Sequence, residues 1–241
     1  MTIINGLMGI EYISGAVVAA SFGKRIKLED NKLKVYDLFV QFQFIHSIII
    51  CFCTVALALL MDPFLRMWLG NQYLMSKIVM ILIILDFYVH SMYQPVYVLY
   101  GSAGKFKDDK IITIASAIMN LVISLIAVMF LGLPGVIIGT LITDIYIWVI
   151  RTYQIVRGYF GQSLTRYSLL MIKYMVMTVV SLAIAIFIAS QISFENIFGE
   201  LIVRAGICIF VPNLISIIFN IRSREFNNIK GFVMQRFRRG K

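Results

Sequence analysis

The chain has 241 residues, of which 60% are hydrophobic and 14% charged, with a mean hydropathy of +0.88 and a formal net charge of +10. A water-soluble domain runs at about 45–50% apolar and about 25% charged, so a soluble globular protein is excluded. The lysines and arginines lie in short connections between apolar runs and in the tail, a positive-inside pattern that reports orientation and argues against a nucleic-acid partner.

Seven apolar segments reach spanning length, and the expected fold class is all-α, a polytopic transmembrane helix bundle of about seven helices. The first predicted helix runs over Ile3–Phe22, where Glu11, Gly15 and Ala19 recur at four-residue steps. A carboxylate and two small residues therefore share one face, which permits close helix approach beside a polar space. No basic leader or cleavage site precedes it, so a signal peptide is not expected. The second predicted helix spans Tyr36–Leu60, with His46 expected as a packed or interfacial residue. The segment Asp62–Tyr73 then reads as a short outer loop containing Pro63, Arg66, Trp68 and Gly70.

The third predicted helix, Ser76–Tyr100, is the most informative stretch. It is long enough to cross a hydrocarbon core of about 30 Å, yet it carries Asp86, His90, Gln94 and Pro95. An ionisable residue at that depth costs about 2.5–3.5 kcal/mol on insertion scales and ordinarily faces a bundle interior or a wet cavity. Asp86, His90, Tyr93 or Gln94, and Tyr97 fall at three- and four-residue steps and share one stripe, where Asp86 and His90 could also pair locally. Pro95 removes a backbone donor one turn from the freed carbonyl, which is tolerated against protein or water.

The fourth predicted helix, Ile111–Leu131, bears Ser116, Asn120 and Ser124 as a narrow polar seam. Interhelical hydrogen bonds of about 0.6 kcal/mol each are expected from it, ahead of the alternative that it contributes to a pathway. LGLPG forms a minimal turn into the fifth, Val136–Tyr153, whose Gly135, Gly139 and Thr143 make a small-residue face with Asp144 beside it. Arg151–Arg166 reads as a basic loop, and helices over Leu169–Ile188 and Leu201–Phe219 complete the set. Cys51, Cys53 and Cys208 have no metal-type spacing and read as small core residues.

Lys and Arg per connection run 5, 2, 3, 0, 3, 0 and then 7 in the tail. This alternation places the tail in the cytoplasm and the start of the first helix outside. A chain that begins outside without a signal sequence is expected to be the later part of something longer. No zinc spacing, phosphate-cradling glycine loop or nucleophile elbow is present, so neither a metal nor a cofactor is expected and an enzyme is not. The polar groups at depth, Glu11, Asp86, His90, Gln94 and Asp144, with Arg66 near the outer face, are the candidate binding residues.

PFLRMWLGNQY, the turn GKF and the run from Asn120 to Thr140 resemble the C-terminal half of the polysaccharide flippases. These are the Wzx-like members of the multidrug/oligosaccharidyl-lipid/polysaccharide exporter superfamily. The resemblance rests on Pro63, Phe64, Trp68, Gly70 and Tyr73; on Gly104, Lys105 and Phe106; on Asn120 and Ser124; and on Gly135, Val136, Ile138, Gly139 and Thr140. It covers roughly residues 3–157 and implies one lobe of a two-lobed flippase, with residues 1–157 as core, 158–221 as two further spans and 222–241 as a basic cytoplasmic tail.

The resemblance further implies a multi-pass protein of the bacterial cytoplasmic membrane, with membrane lipid and an undecaprenyl-linked oligosaccharide as partners. The cargo would move outward for capsule, exopolysaccharide or O-antigen synthesis. Since the pathway in such proteins lies between two lobes, the missing N-terminal lobe or the polysaccharide polymerase machinery is a further expected partner. The alternatives are a drug/cation antiporter of the same superfamily, an integral-membrane polysaccharide polymerase, and a truncated remnant without function.

Overall fold

The computed structural model describes residues 22–24, 26, 28–29, 31–104, 106–193 and 196–228. The first predicted helix, and Glu11 with it, lies outside the described residues. Within them there are no strands, and six helices are long and apolar enough to cross a membrane. These are α1 (Lys32–Trp68), α2 (Lys77–Ser102), α3 (Phe106–Leu131), α4 (Leu133–Thr152), α5 (Leu164–Ser190) and α6 (Ile197–Asn220). Each corresponds to one predicted span, and the all-α bundle expected from the sequence is what the chain forms.

Most helices run further than the apolar runs alone suggest. At 1.5 Å per residue the 37 residues of α1 extend about 55 Å, well past a hydrocarbon core of about 30 Å. The stretch read as an outer loop is helical through Trp68, with Pro63 buried inside it. The proline is tolerated because the carbonyl it frees finds another donor. Pro63 has no N–H to offer Leu59 four residues back, and Arg204 Nη1 donates to the Leu59 carbonyl at 3.0 Å. The helix then ends at Gly70, whose φ of +94° suits glycine.

Capping sets the other boundaries. The Ser76 hydroxyl accepts from the Val79 amide at 3.4 Å to start α2, and the Asn196 side chain accepts from the Phe198 amide at 3.0 Å to start α6. Gly132, at φ +64°, is the single residue between α3 and α4, with Pro134 in the first turn of α4. The LGLPG turn is thus as tight as expected. Beyond α4 the basic loop expected at Arg151–Arg166 is largely helical. Arg151 belongs to α4, and a wide π-type turn continues from Tyr153 to Tyr159. Charged residues do not end a helix at the membrane edge, because long side chains can leave the apolar zone while the backbone stays hydrogen-bonded.

The chain divides into two compact units. The first comprises Met1–Phe39 and Tyr73–Met171. In it α4 packs on both α2 and α3. The α3–α4 contact is made by the small-residue face. A Cβ at Gly135 would lie 2.4 Å from the Ala127 carbonyl carbon and oxygen, and one at Gly139 would lie 2.1 Å from Ser124 Oγ. Asn120 Nδ2 reaches Thr140 Oγ1 across the same contact at 3.4 Å. The polar seam of α3 therefore does only part of what was expected: Ser116 donates to Thr113 O in its own helix, and Ser124 serves as a small packing surface. At one end, Phe39 stacks on Phe160 and Tyr167 at 6.4 and 5.8 Å between ring centroids.

The second unit comprises Val40–Gln72 and Ile172–Lys241. Its core joins Val55 and Leu59 of α1, Ala185 and Ala189 of α5, and Ile207 and Cys208 of α6. A neighbouring cluster holds Cys51, Met177 and Ile215. Cys51 and Cys208 are buried free thiols, as small core residues should be. His46, also buried, lies against Phe42 at 5.8 Å. Thr178 and Ser181 on α5 spend their hydroxyl protons on carbonyls one turn back, which lets them sit in an apolar core.

Candidate functional site in the first unit

The stripe on α2 meets α4 at the middle of both helices. His90 turns away from its helical neighbour Asp86 and pairs with Asp144 of α4, Nδ1 to Oδ2 at 2.8 Å. Its other ring nitrogen, Nε2, lies 3.1 Å from the Gln94 amide nitrogen one turn along α2. The local Asp86–His90 pair that four-residue spacing allowed therefore gives way to a bond between helices. Asp86 remains close enough to feel both Asp144 and His90 electrostatically, while its buried Oδ1 has no hydrogen-bond partner. Asp144 is 8% exposed, next to the glycine face that brings α3 and α4 together. The His90 side chain keeps 29% of its surface open.

Aromatic rings carry the cluster along the helices. Tyr93 meets the His90 ring edge-on at 5.2 Å, and Tyr97 meets Tyr93 edge-on at 6.5 Å. The Arg151 guanidinium then lies over Tyr97 at 4.9 Å and over Tyr100 at 5.8 Å. Arg151 is itself only 4% exposed. It approaches Asp109 of α3 to 2.7 Å as an ion pair off the line of a hydrogen bond, and Nη2 also reaches Thr113 Oγ1 at 3.4 Å. The Tyr100 hydroxyl donates to Gln154 in the π-type turn.

Of the six candidate residues, His90, Gln94 and Asp144 form one bonded chain, and Asp86 adjoins it. Arg66 belongs to the second unit, where Arg66 Nη2 and Arg204 Nη2 converge on Glu200 Oε1 at 3.0 and 2.8 Å. Its position near the outer face had put Arg66 among the candidates. Glu200, assigned to a loop, is in fact 7% exposed in the first turn of α6. Glu11 lies outside the described residues.

Sequence reasoning missed Arg151 and Asp109. A signal existed: Asp144 to Arg151 on α4 and His90 to Tyr97 on α2 are both seven-residue steps, two turns along one face. Counting Arg151 as a loop cation hid it. The exposed Arg157 and Arg166 still make that connection basic.

Fold and cluster together define a polytopic α-helical membrane protein with a hydrogen-bonded acid–imidazole–amide chain inside one helical unit. No family model, curated protein or solved structure matches the chain.

Proposed function

We propose that the chain is one lobe of a flippase that moves undecaprenyl-linked oligosaccharide repeat units across the cytoplasmic membrane for capsule, exopolysaccharide or O-antigen synthesis. The observation that carries this reading is the partly open His90–Asp144 pair with Gln94 and the 40%-exposed Tyr97 on the same stripe. A sugar presents hydroxyls that exchange hydrogen bonds with planar amide, imidazole and carboxylate groups, and a C–H face that packs on an aromatic ring. Such a set has no use against acyl chains, where each unmet polar group costs free energy. The polyprenyl tail stays in lipid along the apolar helix faces. Six spans and the motifs from Pro63 to Tyr73 and from Gly104 to Thr140 add support.

The test is binding by the full chain in detergent, read by native mass spectrometry. A polyprenyl-diphosphate oligosaccharide should bind at least tenfold tighter than the same polyprenyl phosphate without sugar, and His90→Ala and Tyr97→Ala should abolish that preference. Equal binding of the two lipids refutes the reading.

A second reading, a drug/cation antiporter, draws on the buried Asp86 Oδ1 that lacks a hydrogen-bond partner. A cation would satisfy it. Under an imposed proton gradient, Asp86→Asn would then abolish cation exchange while leaving oligosaccharide binding untouched.

A further inference from the structure

We propose that His90 is a proton-binding site, and that the Gln94 amide reports proton uptake by turning over. The proposal deepens the transport reading above and rests on it for its purpose. Its chemistry follows from which atoms face which.

A carboxylate oxygen can only accept, so the 2.8 Å approach of Asp144 Oδ2 to His90 Nδ1 requires a proton on Nδ1. An amide nitrogen can only donate, so the Gln94 Nε2 at 3.1 Å requires a lone pair on His90 Nε2. Both requirements are met by one species, the neutral Nδ1–H tautomer. Protonation breaks one of these two contacts. An N–H bond forms at Nε2, with the proton delivered by hydronium that leaves as water. The ring charge goes from zero to plus one, and nothing is oxidised or reduced. The Nδ1–H bond to Asp144 is retained, but two donors now face each other between Nε2 and the Gln94 nitrogen. Rotation of the amide by about 180° replaces its nitrogen with Oε1 and restores a hydrogen bond.

The surroundings suit a site that changes charge. From α2, Asp86 and Tyr93 face the ring; from α4, Asp144 does. Arg151 lies further along, over Tyr97 and against Asp109 of α3, so that cation already has its counter-ion. An imidazolium would thus bond Asp144 and be felt by Asp86, whose buried Oδ1 has no hydrogen-bond partner. The ring is not sealed, with 29% of the His90 side chain open. The amide flip has a mechanical consequence. Gln94 immediately precedes Pro95, which has no N–H for the helix ladder, so a change in Gln94's hydrogen bonding acts at a turn that lacks one backbone donor.

The chain contains only two histidines, so ring signals of ¹⁵N-labelled protein in detergent assign by the set that disappears in His90→Gln or in His46→Gln. At the alkaline end His90 should show the pure Nδ1–H tautomer. On acidification it should pass to the doubly protonated form. The Gln94 side-chain amide signals, identified by their loss in Gln94→Leu, should shift with the same midpoint. In Asp144→Asn the alkaline form should become a tautomer mixture. A ring that stays neutral throughout, or one that titrates while the Gln94 amide stays still, overturns the proposal. The measurement needs no cargo. Coupled titration without oligosaccharide preference supports the proton site and removes the cargo reading; preference for the oligosaccharide with a silent ring does the reverse.

Discussion

The pairing of Pro63 with Arg204 allows a quantitative test of how a proline survives inside α1. Arg204→Met keeps the aliphatic stem but removes the donor that reaches the Leu59 carbonyl at 3.0 Å. Leu59 is 2% exposed, so its carbonyl has no ready access to water. Leaving a buried acceptor unmade costs about 1–3 kcal/mol. The same substitution also strips Glu200 of one of its two guanidinium partners, which adds a second cost. Pro63→Ala separates the two, because an alanine N–H at position 63 can bond Leu59 within the helix. In that background Arg204→Met should lose only the Glu200 contribution. The cycle should therefore show a coupling of about 1–2 kcal/mol between positions 63 and 204. Unfolding of the purified chain by SDS in mixed micelles, followed by the fluorescence of Trp68 and Trp148, supplies the four free energies. If Arg204→Met costs the same in both backgrounds to within about 0.5 kcal/mol, the freed carbonyl is not what Arg204 holds.

The same assay addresses three further contacts. Gly135→Ala places a Cβ 2.4 Å from the Ala127 carbonyl, so α3 and α4 must part, and a loss of about 1–3 kcal/mol is expected. Gly206→Ala meets nothing within 4 Å and should stay within about 0.5 kcal/mol of the parent; equal stabilities for the two variants would contradict close packing at Gly135. Gly139→Ala should be partly rescued by Ser124→Gly, since the nearest obstacle is Ser124 Oγ at 2.1 Å, and no rescue would mean that backbone contact dominates. Asp109→Ala should destabilise more than Arg151→Met, with a cost approaching about 3 kcal/mol. It strands a guanidinium that is 5% exposed, whereas the reverse change leaves a carboxylate that is 29% exposed and can hydrate. The opposite order would show that the ion pair matters less than the stacking of Arg151 on Tyr97. Finally, Asn196→Ala should cost about 1 kcal/mol by uncapping α6, measured against Asn196→Gly, which should cost only a few tenths.

Hydropathy and spacing were enough to place all six described spans, because an apolar run of bilayer length has few other options once every backbone group must be hydrogen-bonded in lipid. The same local signals located the glycine face of α4, the Gly132 turn and the shared stripe of Asp86, His90, Gln94 and Tyr97. They could not locate helix ends at charged residues, since a snorkelling side chain and a loop side chain look alike in one dimension. That ambiguity turned Arg151 and Glu200 into loop residues and hid the Glu200 partner of Arg66.

Partner choice was decided only in three dimensions. His90 has a carboxylate four residues away and another 54 residues away, and sequence spacing favours the nearer. The close approach of α2 and α4 selects Asp144, and Asp86 is left with an unbonded oxygen. Pro63 and Arg204 show the same division. The proline's missing donor is written in the sequence, but the donor that replaces it comes from a helix about 140 residues later, brought there by the packing of Leu59 against Ile207 and Cys208.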